Sequence, residues 1–338
     1  MTVLTGGSTP ERDVALAGAA EVVSALRDSG HTVSVVDTVS GSLSPDREAA
    51  LLTGVVSREP PTPDELRELR LRELGPALVE LPDLRDADVV FPVLHGMQGE
   101  GGELQALLAL AGIPFTGSDA LGSAIAMAKD VAKGLFRNAG LATPNWALWP
   151  ASPEEVTELG LPLVVKPSRV GSTIGLSVIE SLDQLADAVD LARLYDDDII
   201  LEAFIRGREL TVGILADTAL SVGEIIPDHA LFDYECKYTP GLTQEIFPAD
   251  LDGATTAALQ AMALTAHRVL KLGDFSRIDF IQTSGGDAYC LEANTLPGLT
   301  RTSLLPQSAD AAGIAFPELL SRMCSLALDR HHGTKAAR

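Results

Sequence analysis

Apolar and polar positions alternate between two periods along the chain. Val3-Leu4-Thr5 is a short apolar run of the kind that forms a buried strand. The turn Gly6-Gly7-Ser8-Thr9-Pro10-Glu11 leads into a helical pattern that runs to about Arg27, with Ser8 or Thr9 as the expected cap. Residues 32–36 read as a strand. Residues 41–64 read mostly as loop, with a short helix near 47–52, and 65–74 as a charged helix. Residues 88–94 form an apolar strand that ends at His95-Gly96, followed by a helix over 103–111. Strand and helix in alternation predict a parallel α/β first domain covering 1–118. In an open sheet, ligands sit at such strand ends.

Beyond it the pattern changes. A helical stretch over 119–139 precedes predicted strands at 145–148, 163–166, 174–178 and 199–204, with a helix over 182–193. This reads as a second, smaller α+β domain, 119–205. Strands at 209–215 and 222–226, a long helix over 251–270, and a hairpin of 277–282 with 288–292 predict a third domain, 206–330, of antiparallel character. A helix near 316–328 closes it, and 331–338 is a frayed tail. The fold class is therefore α/β, with an N-terminal parallel domain followed by two α+β domains.

Composition narrows the function classes. The 338 residues are 46% hydrophobic and 21% charged, enough for large cores. A net charge of −22 argues against nucleic acid or anionic membrane as partner, since both need basic surface. Cys236, Cys290 and Cys324 are scattered and odd in number, neither a disulfide framework nor a zinc pattern. No signal peptide or membrane-length apolar run is visible, so a cytoplasmic protein is expected.

Four segments carry candidate chemistry. On the hairpin, Asp279 lies on one strand, and Glu292 and Asn294 lie two apart on the other, hence on one face. Two carboxylates and an amide oxygen are hard ligands suited to Mg²⁺ bridging nucleotide phosphates, although acids on a hairpin can also be a solvated face. The apolar neighbours Ile278, Phe280 and Leu291 favour the first reading, because acids flanking buried positions need partners. The second segment is Val165-Lys166-Pro-Ser-Arg-Val-Gly-Ser172-Thr173, a strand delivering a lysine before a small-residue loop. It could cradle phosphate, or be an ordinary strand–turn–strand, and it is not a P-loop. The third is the glycine turn ending at Glu11, an acid at a helix N-terminus. It lacks the dinucleotide fingerprint that an NAD-dependent oxidoreductase on the first domain would need. The fourth is His95 beside the glycine loop 96–102.

Taken in order, these segments resemble the D-alanine–D-alanine ligases of the ATP-grasp superfamily. The resemblance runs from Gly6 to about Pro306. It includes Gly-Gly-Ser-Thr-Pro-Glu11-Arg12, His95-Gly-Met-Gln-Gly-Glu100, Thr116-Gly-Ser-Asp, Met127-Ala-Lys129, the Lys166 loop, Glu202, Glu209-Leu-Thr-Val, Tyr234-Glu-Cys-Lys237-Tyr238, Arg277-Ile-Asp279 and Glu292-Ala-Asn294 through Ser303-Leu304.

The resemblance implies a three-domain ATP-grasp fold clasping ATP, with D-alanine as substrate and two Mg²⁺ ions (Mn²⁺ as a substitute) held by Asp279, Glu292 and Asn294. Lys129, Lys166 and Lys237 would bind ATP, with Ser172 and Thr173 in a loop over the triphosphate, Glu202 near the adenine and Glu209 on the ribose. Glu11 would take the first D-alanine's ammonium, with His95 near its carboxylate. Ser172 and Tyr238 would close the site with Glu11. Arg277 and the Gly298 N–H would stabilise the oxyanion, and Ser303 with the Leu304 backbone would hold the second D-alanine's carboxylate. The implied product is D-alanyl-D-alanine for peptidoglycan precursors, made by a homodimer.

Departures from the family pattern at Gly101, Ala128 and Ala106 remove no chemical group. They leave a D-Ala–D-Ser, D-Ala–D-lactate or secondary-pathway ligase as the alternative. A non-catalytic ATP-binding module would have lost metal or oxyanion groups, and Asp279, Glu292, Asn294 and Arg277 are all present.

Overall fold

The computed structural model describes residues 1–57, 61–228 and 241–336. Three sheets organise them. The first strand, Thr2–Thr5, is buried on both faces and pairs in parallel with Ser34–Asp37 and Val90–Pro92, while Gly41–Ser42 adds an antiparallel edge. A strand apolar on both faces needs cover on both faces. Its buried Val3 and Leu4 share a core with Ala19, Val22 and Leu26 of the helix Arg12–Asp28.

The second sheet holds Trp146–Leu148, Ile199–Ala203, Leu163–Pro167 and Ser177–Ile179 in that order, all antiparallel. Leu163, Val165, Ile199 and Leu201 point into one small core with Val189 and Ala192 of the helix Leu185–Arg193. The alternating residues Val164, Lys166 and Glu202 line a cavity instead.

The third sheet is the antiparallel order Thr243–Ile246, Thr218–Pro227, Arg208–Leu215, Phe275–Gln282, Ala288–Asn294. Leu210, Val212, Ile214, Ile278 and Phe280 bury one face with Leu259, Ala263 and Ala266 of the helix Gly253–Val269 and with Phe136 of the helix Lys129–Asn138. The cores do not follow the sheets one to one. Leu296, Leu299, Leu305 and the last helix, Phe316–Ala336, join the core of the first sheet. The loop bearing Gly298 is therefore anchored on the N-terminal part of the chain.

Several expectations change in detail. Neither Ser8 nor Thr9 caps the first helix. Glu11 holds the cap position without a capping bond, and the Ser8 N–H donates to Gln98 Oε1 at 3.0 Å. Gly6 lies at φ 95°, and a Cβ there would fall 2.0 Å from an Asp37 carboxylate oxygen, so only glycine fits. The strand expected at 174–178 starts at Ser177, because 168–176 is a loop. The region 41–64 contains the helix Pro45–Leu51, capped by Ser44, and the start of Pro63–Arg72, set by a Thr62–Glu65 capping box. The helices Pro153–Leu159 and Leu304–Ala311 were not expected.

Candidate active site

The polar faces of the second and third sheets line a cavity of about 420 Å³, a volume suited to a small-molecule ligand. On the third sheet the hairpin register sets Asp279 directly opposite Glu292, and Arg277 opposite Asn294. On the other side of that strand, Asp279 pairs with Thr211, and Ile281 with Glu209. A bulge between Asp279 and Phe280 leaves Leu291 without a partner and puts both Leu291 and Glu292 on the cavity wall. Asp279 accepts from Thr211 Oγ1 at 2.7 Å, from the Arg277 fork at 2.9 and 2.8 Å, and from the Asn294 amide at 3.0 Å. Lys129 Nζ stands 3.2 Å from Glu292 and donates to the Val170 carbonyl at 2.9 Å.

Like charges directly opposite on paired strands repel unless a cation lies between them. Two carboxylates with one amide oxygen are too few ligands to cage an ion. That number suits Mg²⁺, which is usually completed by water and substrate phosphates. The residues present therefore fit the implied metal.

At the other end of the cavity Glu202 is 3% exposed. Lys166 Nζ donates to its Oε1 at 2.7 Å, and Lys133 Nζ lies 2.6 Å from Oε2. Burial would raise this carboxyl, but the two ammoniums outweigh it and hold the group below the ordinary carboxylate range. Val164, Phe204, Ile205 and Leu291 supply apolar wall around it.

The loop 168–176 covers the cavity. Ser172 and Thr173 both take left-handed backbone conformations, at φ 53° and 62°, as strained functional loops do. Ser172 Oγ donates to the Glu11 carboxylate across to the first helix. Beside Glu11, His95 Nδ1 donates to the Leu296 carbonyl at 3.0 Å, which fixes the ring, while its buried Nε2 has no hydrogen-bond partner among the described residues. Glu100 accepts from the backbone N–H of Thr295 at 3.1 Å, of Leu296 at 3.0 Å and of Gly96 at 3.2 Å, so it ties the Gly298 loop to the His95 turn. Desolvation pushes its carboxyl above the ordinary range, opposed by His95.

Ser303 holds the N-cap position of the helix Leu304–Ala311 without a side-chain capping bond, and its Oγ accepts from the Thr300 N–H at 3.1 Å. A helix N-terminus offers free N–H groups to an anion. A Cβ on Gly298 would lie 2.8 Å from that same Oγ.

The structure thus brings together Glu11, His95, Ser172, Thr173, Lys129, Lys166, Glu202, Glu209, Arg277, Asp279, Glu292 and Asn294, with Gly298 and Ser303 on the adjoining loop and Leu304 at the start of the helix that follows. Lys237 and Tyr238 lie outside the described residues. Sequence reasoning missed Lys133, Glu100 and the apolar wall of Phe204, Ile205 and Leu291. The spacing of Lys133 from Lys129, one helical turn, was the available signal for the first.

Residues 1–118 match the model of the D-ala D-ala ligase N-terminus, and residues 135–325 that of the D-ala D-ala ligase C-terminus. The chain belongs to the D-alanine–D-alanine ligase family. It is 40% identical over 325 residues to the D-alanine–D-alanine ligase of Geobacter sulfurreducens, covering 95% of this chain and 92% of that one. Among solved structures it resembles the D-alanine–D-alanine ligase of Coxiella burnetii, with a TM-score of 0.81 at 27% identity over 99% of this chain and 95% of the other. It also resembles the Bacillus anthracis enzyme complexed with ATP, with a TM-score of 0.76 at 27% identity over 98% of each. The ATP-grasp fold expected for the family is the one observed.

Proposed function

We infer that this chain is an ATP-dependent D-alanine–D-alanine ligase supplying peptidoglycan precursors. The observation that carries the reading is the cross-strand Asp279–Glu292 pair facing Lys129 on one cavity wall, with Glu11 and the half-satisfied His95 across the loop.

A carboxylate is a poor acylating group, so it must first be activated. The first D-alanine places its ammonium on Glu11 and its carboxylate toward His95 Nε2. A carboxylate oxygen attacks the γ-phosphorus, ADP leaves, and an acyl phosphate forms. Phosphoryl transfer needs mainly positioning and charge neutralisation, to which Lys129 and Lys166 contribute as compact point charges. Asp279, Glu292 and Asn294 would hold Mg²⁺, which would supply charge neutralisation at the phosphates. The second amino acid rests its carboxylate on Ser303 and the N–H groups of the helix it caps. Its amine, once deprotonated, attacks the acyl carbon, and Arg277 with the Gly298 N–H bears the oxyanion until phosphate departs. The Ser172–Thr173 loop excludes water, which would otherwise hydrolyse the acyl phosphate. In the same reading Lys237 binds ATP and Tyr238 acts with Ser172 and Glu11.

The division at 118 and 205, a cytoplasmic location and a homodimer belong to this reading. The −22 charge accords with small-molecule rather than nucleic-acid partners, and among the described residues no single helix is long and apolar enough to cross a membrane. The test measures ADP release from the purified chain with ATP and Mg²⁺, offering D-alanine alone and then with D-serine or D-lactate in competition. D-Alanyl-D-alanine is the expected main product at neutral pH. A predominance of D-Ala–D-Ser or of depsipeptide would overturn the specificity, and no D-alanine-dependent ADP would overturn the activity.

A further inference from the structure

The helix Lys129–Asn138 carries two lysines one turn apart on one face. Lys129 reaches the phosphate end of the cavity. Lys133 has no exposed surface and does not line the cavity at all. Its Nζ lies 2.6 Å from Glu202 Oε2, donates to Thr143 Oγ1 at 2.7 Å, and stands 5.3 Å from the centre of the Trp146 ring. Trp146 is itself the cross-strand partner of Glu202. The cavity holds Lys166 in front of that carboxylate, and Lys133 sits behind it.

A fully buried ammonium is an expensive device. Well-packed apolar side chains in place of buried ion pairs are often as stable or more so. Lys166 alone would already neutralise Glu202, so stability does not explain the second cation. Its effect on Glu202 does. A carboxylate paired with one cation keeps more freedom to rotate or take up a proton than one flanked by two, here Lys166 at Oε1 and Lys133 at Oε2. This matters for a purine. An ionised carboxylate only accepts hydrogen bonds, while a protonated one also donates. A 6-amino purine presents a donor at that edge and a 6-oxo purine an acceptor.

We propose that Lys133 is a positioning residue for the nucleotide base: acting through Glu202 from outside the cavity, it keeps that carboxylate ionised and immobile, so that the site takes a 6-amino purine and rejects a 6-oxo purine. The proposal rests on the reading that places the base at Glu202. Burial pulls Lys133 down to about 8 against the attraction of Glu202, with Lys166 lowering it further and the Cys290 thiol also facing it. The second charge is thus present at neutral pH and is lost above it.

The test compares ATP with inosine triphosphate, which differs from it at the 6 position. The ratio of the two kcat/KM values is measured for the wild type, Lys133→Met, Glu202→Gln and the double variant. Binding of ADP and IDP by calorimetry gives a readout independent of turnover. Methionine fits the slot without charge and leaves a one-to-one Lys166–Glu202 pair. Lys133→Met should lower the ATP preference about tenfold, the worth of one well-placed hydrogen bond, through KM rather than kcat. Glu202→Gln should lower it at least as far, because an amide also donates. The double variant should lose nothing more than Glu202→Gln.

An unchanged preference in Lys133→Met beside a collapsed one in Glu202→Gln overturns the role of Lys133 and leaves the base at Glu202. An unchanged preference in Glu202→Gln removes the base from Glu202 and overturns both. If Lys133→Met does not fold, the double variant decides against Glu202→Gln: equal preference supports the proposal, and a further loss beyond about threefold, larger than ordinary non-additivity, contradicts it.

Discussion

Gly298→Ala is the substitution whose effect the geometry defines most sharply. Gly298 is not in the left-handed region, so alanine meets no backbone strain there. What it meets is Ser303. The new Cβ falls 2.8 Å from Ser303 Oγ and 3.3 Å from Ser303 Cβ. Relaxed carbon contacts begin near ~3.5 Å, so something must shift by about 0.7 Å. The hydroxyl cannot swing away freely, because its oxygen accepts from the Thr300 N–H at 3.1 Å and meets Thr300 Oγ1 at 2.8 Å. The glycine N–H is tethered too, since Leu296 and Leu299 on either side are buried in the first core. Either the oxyanion donor moves or the Ser303 hydroxyl does. Misplacing a reacting geometry by ~1 Å can cost ~10²-fold, and losing an oxyanion donor costs ~10²–10³-fold. We expect kcat/KM for the second D-alanine to fall about a hundredfold, with a stability loss of only ~1–3 kcal/mol from overpacking. Initial rates of ADP release across D-alanine concentration, with urea unfolding as the control, measure both. Adding Ser303→Ala removes the 2.8 Å contact and should restore part of kcat while the second-site KM stays high. A folded Gly298→Ala enzyme within threefold of wild type would refute the placement of both groups.

Other outcomes follow from the same geometry. Asp279→Asn or Glu292→Gln should abolish turnover by removing charge from the metal pair, and near wild-type kcat at saturating Mg²⁺ would contradict that role. Arg277→Lys should lower kcat by ~10²-fold with little change in KM for ATP, because a point charge cannot reproduce the fork; a raised KM for ATP with unchanged kcat would argue against the oxyanion role. His267 is buried against Ser276, and burial lowers it to about 4. Its folded value lies below its unfolded value, so the unfolded chain binds the extra proton between pH 6.5 and 4. Stability should therefore fall as pH drops through that window, by up to ~3 kcal/mol from this residue. Chemical denaturation at pH 7 and pH 4.5, with His267→Gln as the comparison, checks the sign.

Much of this was legible in the sequence because period reports faces. Alternation put Glu292 and Asn294 on one face near the end of a hairpin expected at 277–282 and 288–292, and the register adds Asp279 directly opposite Glu292. The ordered motifs then placed Glu11 beside Ser172, a contact no local pattern could have predicted. What stayed hidden was hidden for physical reasons. Pro306 reads as a helix breaker, yet it stands in the first turn of Leu304–Ala311, where its missing N–H breaks no intrahelical bond. Lys133 reads as an exposed position, and only the distant Glu202 makes its burial tolerable. Phe204 falls inside the strand expected at 199–204 but lies past the end of Ile199–Ala203, with Ile205 beyond it, while Leu291 turns to the cavity through a bulge that alternation does not show.

The central claim is that the first D-alanine is activated as an acyl phosphate in this cavity and captured by the amine of the second. D-Alanine labelled with ¹⁸O in both carboxylate oxygens tests it directly. The attacking oxygen leaves with the phosphate, so each dipeptide formed should be matched by one released phosphate carrying a single ¹⁸O. Phosphate free of label, with dipeptide still forming, would contradict the account.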